Sequence, residues 1–322
     1  MIHWVMFVNL IIKQLIQSLL IAGVLPAVLI GALSNGSDQI KDQMVVPEKM
    51  NHRYEVCVLD HDGNVRKMEL ENYVTGVLLA EVSPDFHMEA LKAQAVATRT
   101  YTLYCTEVLK KHSSGSVCTD YHCCQAYCDP EAYMGNGGTE QGLKSVMTAV
   151  EETAGEVLRY GTDLICATYF ACSGGQTEDA QEVWGESYPY LKSVESQGEE
   201  NCGYFSKNLT MTHLELQEKL DVQLKGKPSS WFGIVKYTVG GGVDLMRIGG
   251  KLYTGVELRD LLNLRSTVMT IKTTDNEIVI ETKGYGHRVG MSQHGANAMA
   301  SRGGNYREIL THYYANTRLD RI

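Results

Sequence analysis

An α+β fold is predicted for this chain, with a pair of helices packed on a mixed β-sheet in one ectodomain behind an N-terminal membrane span. Three observations predict it. Hydropathy alternates with period two in "RYEVCVLDHDGNVRKMEL", changes to helical spacing from Leu70, and returns to short strand-like runs farther along. The 322 residues exceed one typical domain and carry enough aliphatic and aromatic side chains for a packed core. A net charge of −9, with no run of Lys or Arg able to follow a phosphate backbone, argues against nucleic acid as a partner.

The first element is the apolar stretch 14–33, "QLIQSLLIAGVLPAVLIGAL", long enough to cross a bilayer and tolerant of Pro26. Residues 1–33 are expected to be a membrane anchor. A cleaved signal peptide is the alternative, but the run is long for one and "VLIGALSNG" supplies only a loose cleavage site. Residues 34–52, with Ser34, Asn35, Gly36, Ser37 and Pro47, form a polar tether. The body, 53–322, lacks positive bias near the membrane and is expected outside the cytoplasm.

Asp62-Gly63 between two alternating runs signals a hairpin. Leu70, Tyr73, Val74, Val77, Leu78 and Glu81 then share one helical face, which sets a carboxyl group on an apolar stripe. Ser83 and Pro84 read as the cap and first turn of a second, alanine-rich helix from about Glu89 to Lys110, with Lys92 and Arg99 two turns apart on one face. A carboxylate facing a core is unfavourable when ionised. Glu81 is therefore either a general acid with a raised pKa or one half of a helix–helix ion pair with Lys92 or Arg99. Farther on, strands are expected within 155–170, 190–196 and 265–283, and "NLTMTHLELQEKLD" reads as a capped surface helix.

Nine cysteines include a crowded group in "HSSGSVCTDYHCCQAYC", where His112, Cys118, His122, Cys123, Cys124 and Cys128 offer more ligands than one zinc ion needs. A disulfide-stapled loop is the alternative.

The string "LLAEVSPDFHMEALKAQAVATRTYTL" resembles the stage II sporulation protein D family, as do "YFACSGGQTEDAQEVWGESYPYLKSV" and "GYGHRVGMSQHGANAMA", in family order. The resemblance implies a lytic transglycosylase that cuts glycan strands of peptidoglycan, preferably peptide-stripped ones, during engulfment. It implies Glu81 as the catalytic residue, with Lys92, Arg99 and Lys192 as cations of the cleft. Ser173 of the Ser-Gly-Gly segment, with His287, Ser292 and Gln293 of the glycine-rich block, would be substrate contacts. His112, Cys118, Cys123 and Cys124 would hold a structural zinc, with His122 or Cys128 as substitutes. The implied partners are glycan strands, a sporulation cell-wall amidase and the membrane scaffold of the engulfment machinery. Arg288 stands where the family carries glycine, so the position either needs no positive φ or adds a cation at the cleft edge, and Arg288→Gly is expected to be tolerated. Asp85 and Glu89 are read as structural. Two other functions remain open: a glycan-binding module that stimulates an amidase, and a structural septal protein.

Overall fold

The computed structural model describes residues 54–60 and 62–322. The anchor expected over 1–33 and the tether over 34–52 lie outside the described residues, among which no helix is long and apolar enough to cross a membrane. β1 (Glu55–Leu59) and β2 (Val65–Glu69) form the expected antiparallel hairpin. Asp60 Oδ1 accepts from the N–H groups of Asp62 and Asn64, and Gly63 sits at φ +84, which a side chain would strain.

The chain passes directly into α1 (Leu70–Glu81), then α2 (Met88–Leu103). Of the 16 residues of α2, 12 are buried, because alanines and threonines leave room for neighbours on every side. Thr100 and Thr102 satisfy their buried hydroxyls on the carbonyls of Val96 and Thr98. Two expectations need correction here. Ser83 and Pro84 do not start the helix: Ser83 Oγ accepts from Asp85 N–H in the inter-helix turn, and His87 N–H donates to Asn297 Oδ1, 2.7 Å away across the fold. The helix also stops short of Lys110, where a π turn over Tyr104–Val108 coincides with Thr106 bonding back to the carbonyls of Thr102 and Leu103.

Next come β3 (Val117–Cys118), parallel to β1, then α3 (Pro130–Gly135), α4 (Glu140–Glu152), β4 (Glu156–Tyr160), β5 (Asp163–Leu164), β6 (Tyr169–Phe170) and α5 (Ala180–Trp184). The second half holds β7 (Ser206–Thr212), α6 (His213–Leu220), β8 (Phe232–Tyr237), β9 (Val243–Ile248), β10 (Lys251–Thr254) and α7 (Gly255–Leu261). It ends with β11 (Val268–Thr273), β12 (Glu277–Lys283), β13 (Met291–Ser292), α8 (Gln293–Ser301), α9 (Tyr306–Tyr313) and β14 (Arg318–Arg321).

The α+β class holds, but the strands make several small sheets rather than one. β14-β4-β5 and β13-β6 lie with the helices, whereas β11-β12-β7 and β10-β9-β8 build a second core around Leu216, Met246, Ile248, Leu258 and Ile280. Hence 265–283 is strand as expected, but it packs away from the helical pair. Residues 190–196 form no strand; the segment has one isolated bridge, Glu195 with Gln176, and its further bonds include those of Ser193 and Val194 to Thr177 and of Ser196 N–H to the Gly175 carbonyl. The helix expected from "NLTMTHLELQEKLD" begins only at His213, where Thr212 and Glu215 form a capping box, and the residues before it are β7.

Arg288 corrects both expectations made for it. Its φ is +66, the region in which glycine is easiest, and its side chain is buried rather than at the cleft edge. The guanidinium pairs with fully buried Glu178 at 2.9 Å and donates to the carbonyls of Ser173, Gln176 and Gly240. Glu178 in turn accepts from Thr238 Oγ1 and Gly240 N–H, so the pair fastens the second core to the glycine-rich block. Arg288→Gly would relieve backbone strain of about 1–2 kcal/mol but leave Glu178 buried and unpaired, and breaking such a pair typically costs about 3–5 kcal/mol. Net destabilisation in urea unfolding is therefore expected, largely recovered when Glu178→Gln is combined with Arg288→Met; a stable Arg288→Gly protein would refute this account.

Candidate active site

Glu81 closes α1, after the buried Tyr73, Val74, Val77 and Leu78 have aimed the helix end at a cleft of about 700 Å³. Its walls include Tyr121, Ala126, Tyr169, Phe170, Trp184, Tyr285, His287 and Gln293, and Cys123 and Cys124 lie at one side. Glu81 is half-buried, and burial raises its pKa; a 2.8 Å bond from Ala126 N–H to Oε1 opposes the shift in part. Among the described residues no cation pairs with Glu81, and no other carboxylate lines the cleft.

The ion-pair alternative for Glu81 fails because both expected cations are engaged elsewhere. Arg99, fully buried, clasps Glu71 through Nε at 2.9 Å and Nη2 at 2.5 Å, and donates to the carbonyl of Glu156. Lys92 bridges Glu89 at 2.9 Å and Glu152 at 2.6 Å. The structure therefore places neither cation in the cleft, contrary to the family-based expectation. Two turns on α2 do set them on one side, but that side faces α1, α4 and β4. Lys192 pairs with Asp179 at 3.1 Å and does not line the cleft. Ser173 is buried and donates to Glu199 Oε1, while Ser292 caps α8 by accepting from Gly295 N–H. Of the expected structural carboxylates, Asp85 is exposed and Glu89 is paired with Lys92.

His287 and Gln293 do reach the cleft. The His287 ring lies against Phe170 and Trp184, with centroids 5.6 and 5.4 Å away. Burial, reinforced by the charge of Arg259, pushes its pKa down to about 4. Val289 N–H donates to Nδ1 at 3.1 Å, which assigns the proton of the neutral ring to Nε2. Gln293 is buried, and its Nε2 has no hydrogen-bond partner within the protein. A donor so placed beside a cleft is suited to a ligand carbonyl. Glycines make this wall: at Gly286, φ +113, an added Cβ would lie 2.8 Å from Phe170 Cβ, and a Cβ at Gly290 would collide with the Thr168 carbonyl.

Beside the cleft, His112 before β3, Cys118 at its end, and Cys123 and Cys124 in the loop that follows come together, with ligand atoms that all lie within 4.8 Å of one another. His112 Nε2 is 3.5 Å from Cys124 Sγ and 3.7 Å from Cys123 Sγ. Tetrahedral coordination with usual metal–sulfur and metal–nitrogen lengths gives an N···S edge of about 3.6 Å, so the set fits one tetrahedral ion. His122 instead faces Asp120 and lines the cleft; Cys128 bonds the Asp129 carbonyl. The same loop presents Ala126 N–H to Glu81, and Gln125 links it to Thr102 and Tyr169. Sequence reasoning missed the aromatic walls and the acidic hubs Glu178 and Glu199. Tyr285 within "KGYGHRVG" and Trp184 before Gly185 were available signals, since an aromatic beside flexible glycine often meets ligand; the buried glutamates left no signal.

Fold and site together define an α+β cleft protein with a single desolvated carboxyl beside a thiol-rich loop. A family model described as "Stage II sporulation protein" matches residues 60–160. Relatives named stage II sporulation protein D are 38% identical over 78% of this chain and 74% of the protein in Bacillus amyloliquefaciens, and 37% identical over 80% and 76% in Bacillus subtilis strain 168. The chain is also 30% identical, over 76% of its length, to 40% of a Bacillus subtilis protein named amidase enhancer. This chain belongs to the stage II sporulation protein D family.

The raised pKa of Glu81 has a consequence for stability. The native state holds this proton more tightly than the unfolded chain does, so its contribution is full below the unfolded carboxyl range, near about 4.3, and is lost as pH rises through the higher folded value. Glu81→Gln is expected to stabilise the protein at pH 7 and to change little at pH 3.5, as read from urea midpoints. A loss of stability at pH 7 would instead mark Glu81 as a structural carboxylate.

Proposed function

We propose that this protein is a lytic transglycosylase of peptidoglycan, acting on glycan strands in the wall remodelling of sporulation. The carrying observation is the lone carboxyl: Glu81 is half-buried, unpaired by any cation, and without a second carboxylate in its cleft among the described residues. Hydrolysis needs two carboxyl groups roughly 5–9.5 Å apart, whereas intramolecular cleavage needs one. Protonated Glu81 donates to the glycosidic oxygen as the C1–O bond breaks. The resulting carboxylate then takes the proton of the sugar's C6 hydroxyl as O6 bonds to C1, giving a 1,6-anhydro end. Ala126 N–H steadies the carboxylate between the two transfers. Gln293 Nε2 is a donor for an N-acetyl carbonyl, and Tyr285 and Trp184 offer faces to sugar rings. His287, neutral near pH 7, acts as a fixed dipole rather than as a second acid.

Zinc suits the His112, Cys118, Cys123 and Cys124 set, in which three thiols and an imidazole leave no open position for an activated water. Bound there, it would hold the loop that presents Ala126 and so set the position of Glu81. The apolar stretch 14–33 supports an anchored protein whose body faces the extracytoplasmic space, where an amidase that strips peptides and the scaffold of the engulfment machinery would be its partners. The relative named amidase enhancer favours a second reading, in which the cleft binds glycan and positions an amidase without cutting.

Glu81→Gln is expected to fold and bind glycan while cleaving at least about a hundredfold more slowly, and wild-type products should end in 1,6-anhydro-N-acetylmuramic acid by mass spectrometry. Reducing-end products would bring in a second carboxylate; binding without any cut by the wild type would select the amidase-positioning reading. Elemental analysis of protein purified under reducing conditions should give near one zinc per chain, falling in Cys118→Ser together with thermal stability. Metal-free protein carrying a Cys118–Cys124 disulfide would overturn the zinc assignment.

A further inference from the structure

Away from the metal-binding loop, two further thiols meet. Cys172 follows β6 and is fully buried; Cys202, in the segment leading to β7, is half-buried, and their sulfurs are 3.5 Å apart. That is about 1.5 Å more than a disulfide bond. Both backbones are held in place. Cys172 is bridged to Tyr285, its N–H donating to the Tyr285 carbonyl at 3.2 Å and its carbonyl accepting from Tyr285 N–H at 2.7 Å, while Cys202 N–H closes a turn on the Glu199 carbonyl at 3.0 Å.

Beside Cys172 lies buried Glu199. Its carboxylate accepts from the N–H groups of Ser173 and Gly174, from the hydroxyls of Ser173 and Ser196, and from the Cys172 thiol at 2.9 Å. Losing the thiol would leave Glu199 with four stronger donors, so oxidation does not strand it. Burial, and then the charge of Glu199, raises the pKa of the Cys172 thiol, which makes it a poor first nucleophile. Cys202 is the accessible partner.

We propose that Cys172 and Cys202 form a disulfide when the protein meets a small-molecule disulfide oxidant, and that this bond staples the segment around Glu199 to the glycine-rich wall of the cleft. The Cys202 thiolate attacks one sulfur of the oxidant, here glutathione disulfide, and expels one glutathione thiolate. Cys172 then attacks the mixed disulfide at the Cys202 sulfur and expels the second, its proton passing to Glu199 and on to solvent; two protein thiols are oxidised and one oxidant disulfide is reduced to two thiols. The consequence bears on the cleft. Tyr204, two residues beyond Cys202, packs on Tyr285 with centroids 5.6 Å apart, and Arg265 lies over both rings. A bond between the cysteines would fix this ledge on both of its sides. The inference does not depend on the proposed glycan chemistry.

The test is peptide mapping of the full chain, alkylated before and after exposure to glutathione disulfide. The expected result is a peptide spanning 160–192 linked to one spanning 193–207, with fragmentation placing the bond on Cys172 rather than on Cys166 of the same peptide. A rise in Tm of several degrees should accompany it and be absent from Cys202→Ser. Cys172 and Cys202 both alkylated as free thiols after oxidation, or Cys202 carrying glutathione alone, would overturn the proposal.

Discussion

The clasp between Arg99 and Glu71 is the contact on which the placement of the site depends. It ties α2 to the first turn of α1, and Arg99 also reaches the Glu156 carbonyl at the start of β4, while Glu71 accepts from Gly155 N–H. Three pieces of chain are thereby fixed around one guanidinium, whose planar fork suits several acceptors at once. With the start of α1 fixed, its twelve residues carry the direction of the helix to Glu81 at the other end. The arginine that resemblance assigns to substrate thus acts through structure, because its guanidinium is fully buried and spent on Glu71 and the Glu156 carbonyl.

Glu81 is treated differently from the other buried carboxylates. Glu178 is matched by Arg288, and Glu199 by a ring of five donors. Among the described residues, Glu81 receives one backbone N–H and no cation. A fold able to neutralise Glu178 and Glu199 leaves Glu81 with its proton favoured. That asymmetry is what acid–base chemistry near neutral pH requires, since stabilising the anion fully would remove the acid. The thiol-rich loop contributes at the same point. By presenting Ala126 N–H it sets how far the Glu81 anion is favoured.

The glycine-rich block shows how a cleft wall is held when its backbone is unusual. Gly286 and Gly290 supply close approach, and Arg288 between them adopts a left-handed conformation and offsets that strain with four hydrogen-bonded partners in the interior. Arg288 therefore holds a left-handed backbone and adds a fastening to the second core. Cys172 and Glu199 support the opposite end of the wall, beside Tyr285.

What the sequence determined by itself was local and periodic. The hairpin at Asp62-Gly63, the helix ending at Glu81 and the crowding of His112 with Cys118, Cys123 and Cys124 all follow from spacing or from turn chemistry, which act over a few residues. Tertiary structure alone decided which partner each charged group would take. Lys92 and Arg99 share a helix face with spacing suited to a cleft, yet their partners Glu152 and Glu71 come from separate elements, and no periodicity encodes that choice. The same holds for strands 265–283, legible as strands but joined to β7 through partners 65 to 77 residues earlier in the chain, and for Arg288, whose burial depends on Glu178 and Gly240 arriving from two other segments. Pairing and burial are long-range quantities, set by how whole elements pack, so the sequence offers the side chains and only the fold assigns their neighbours.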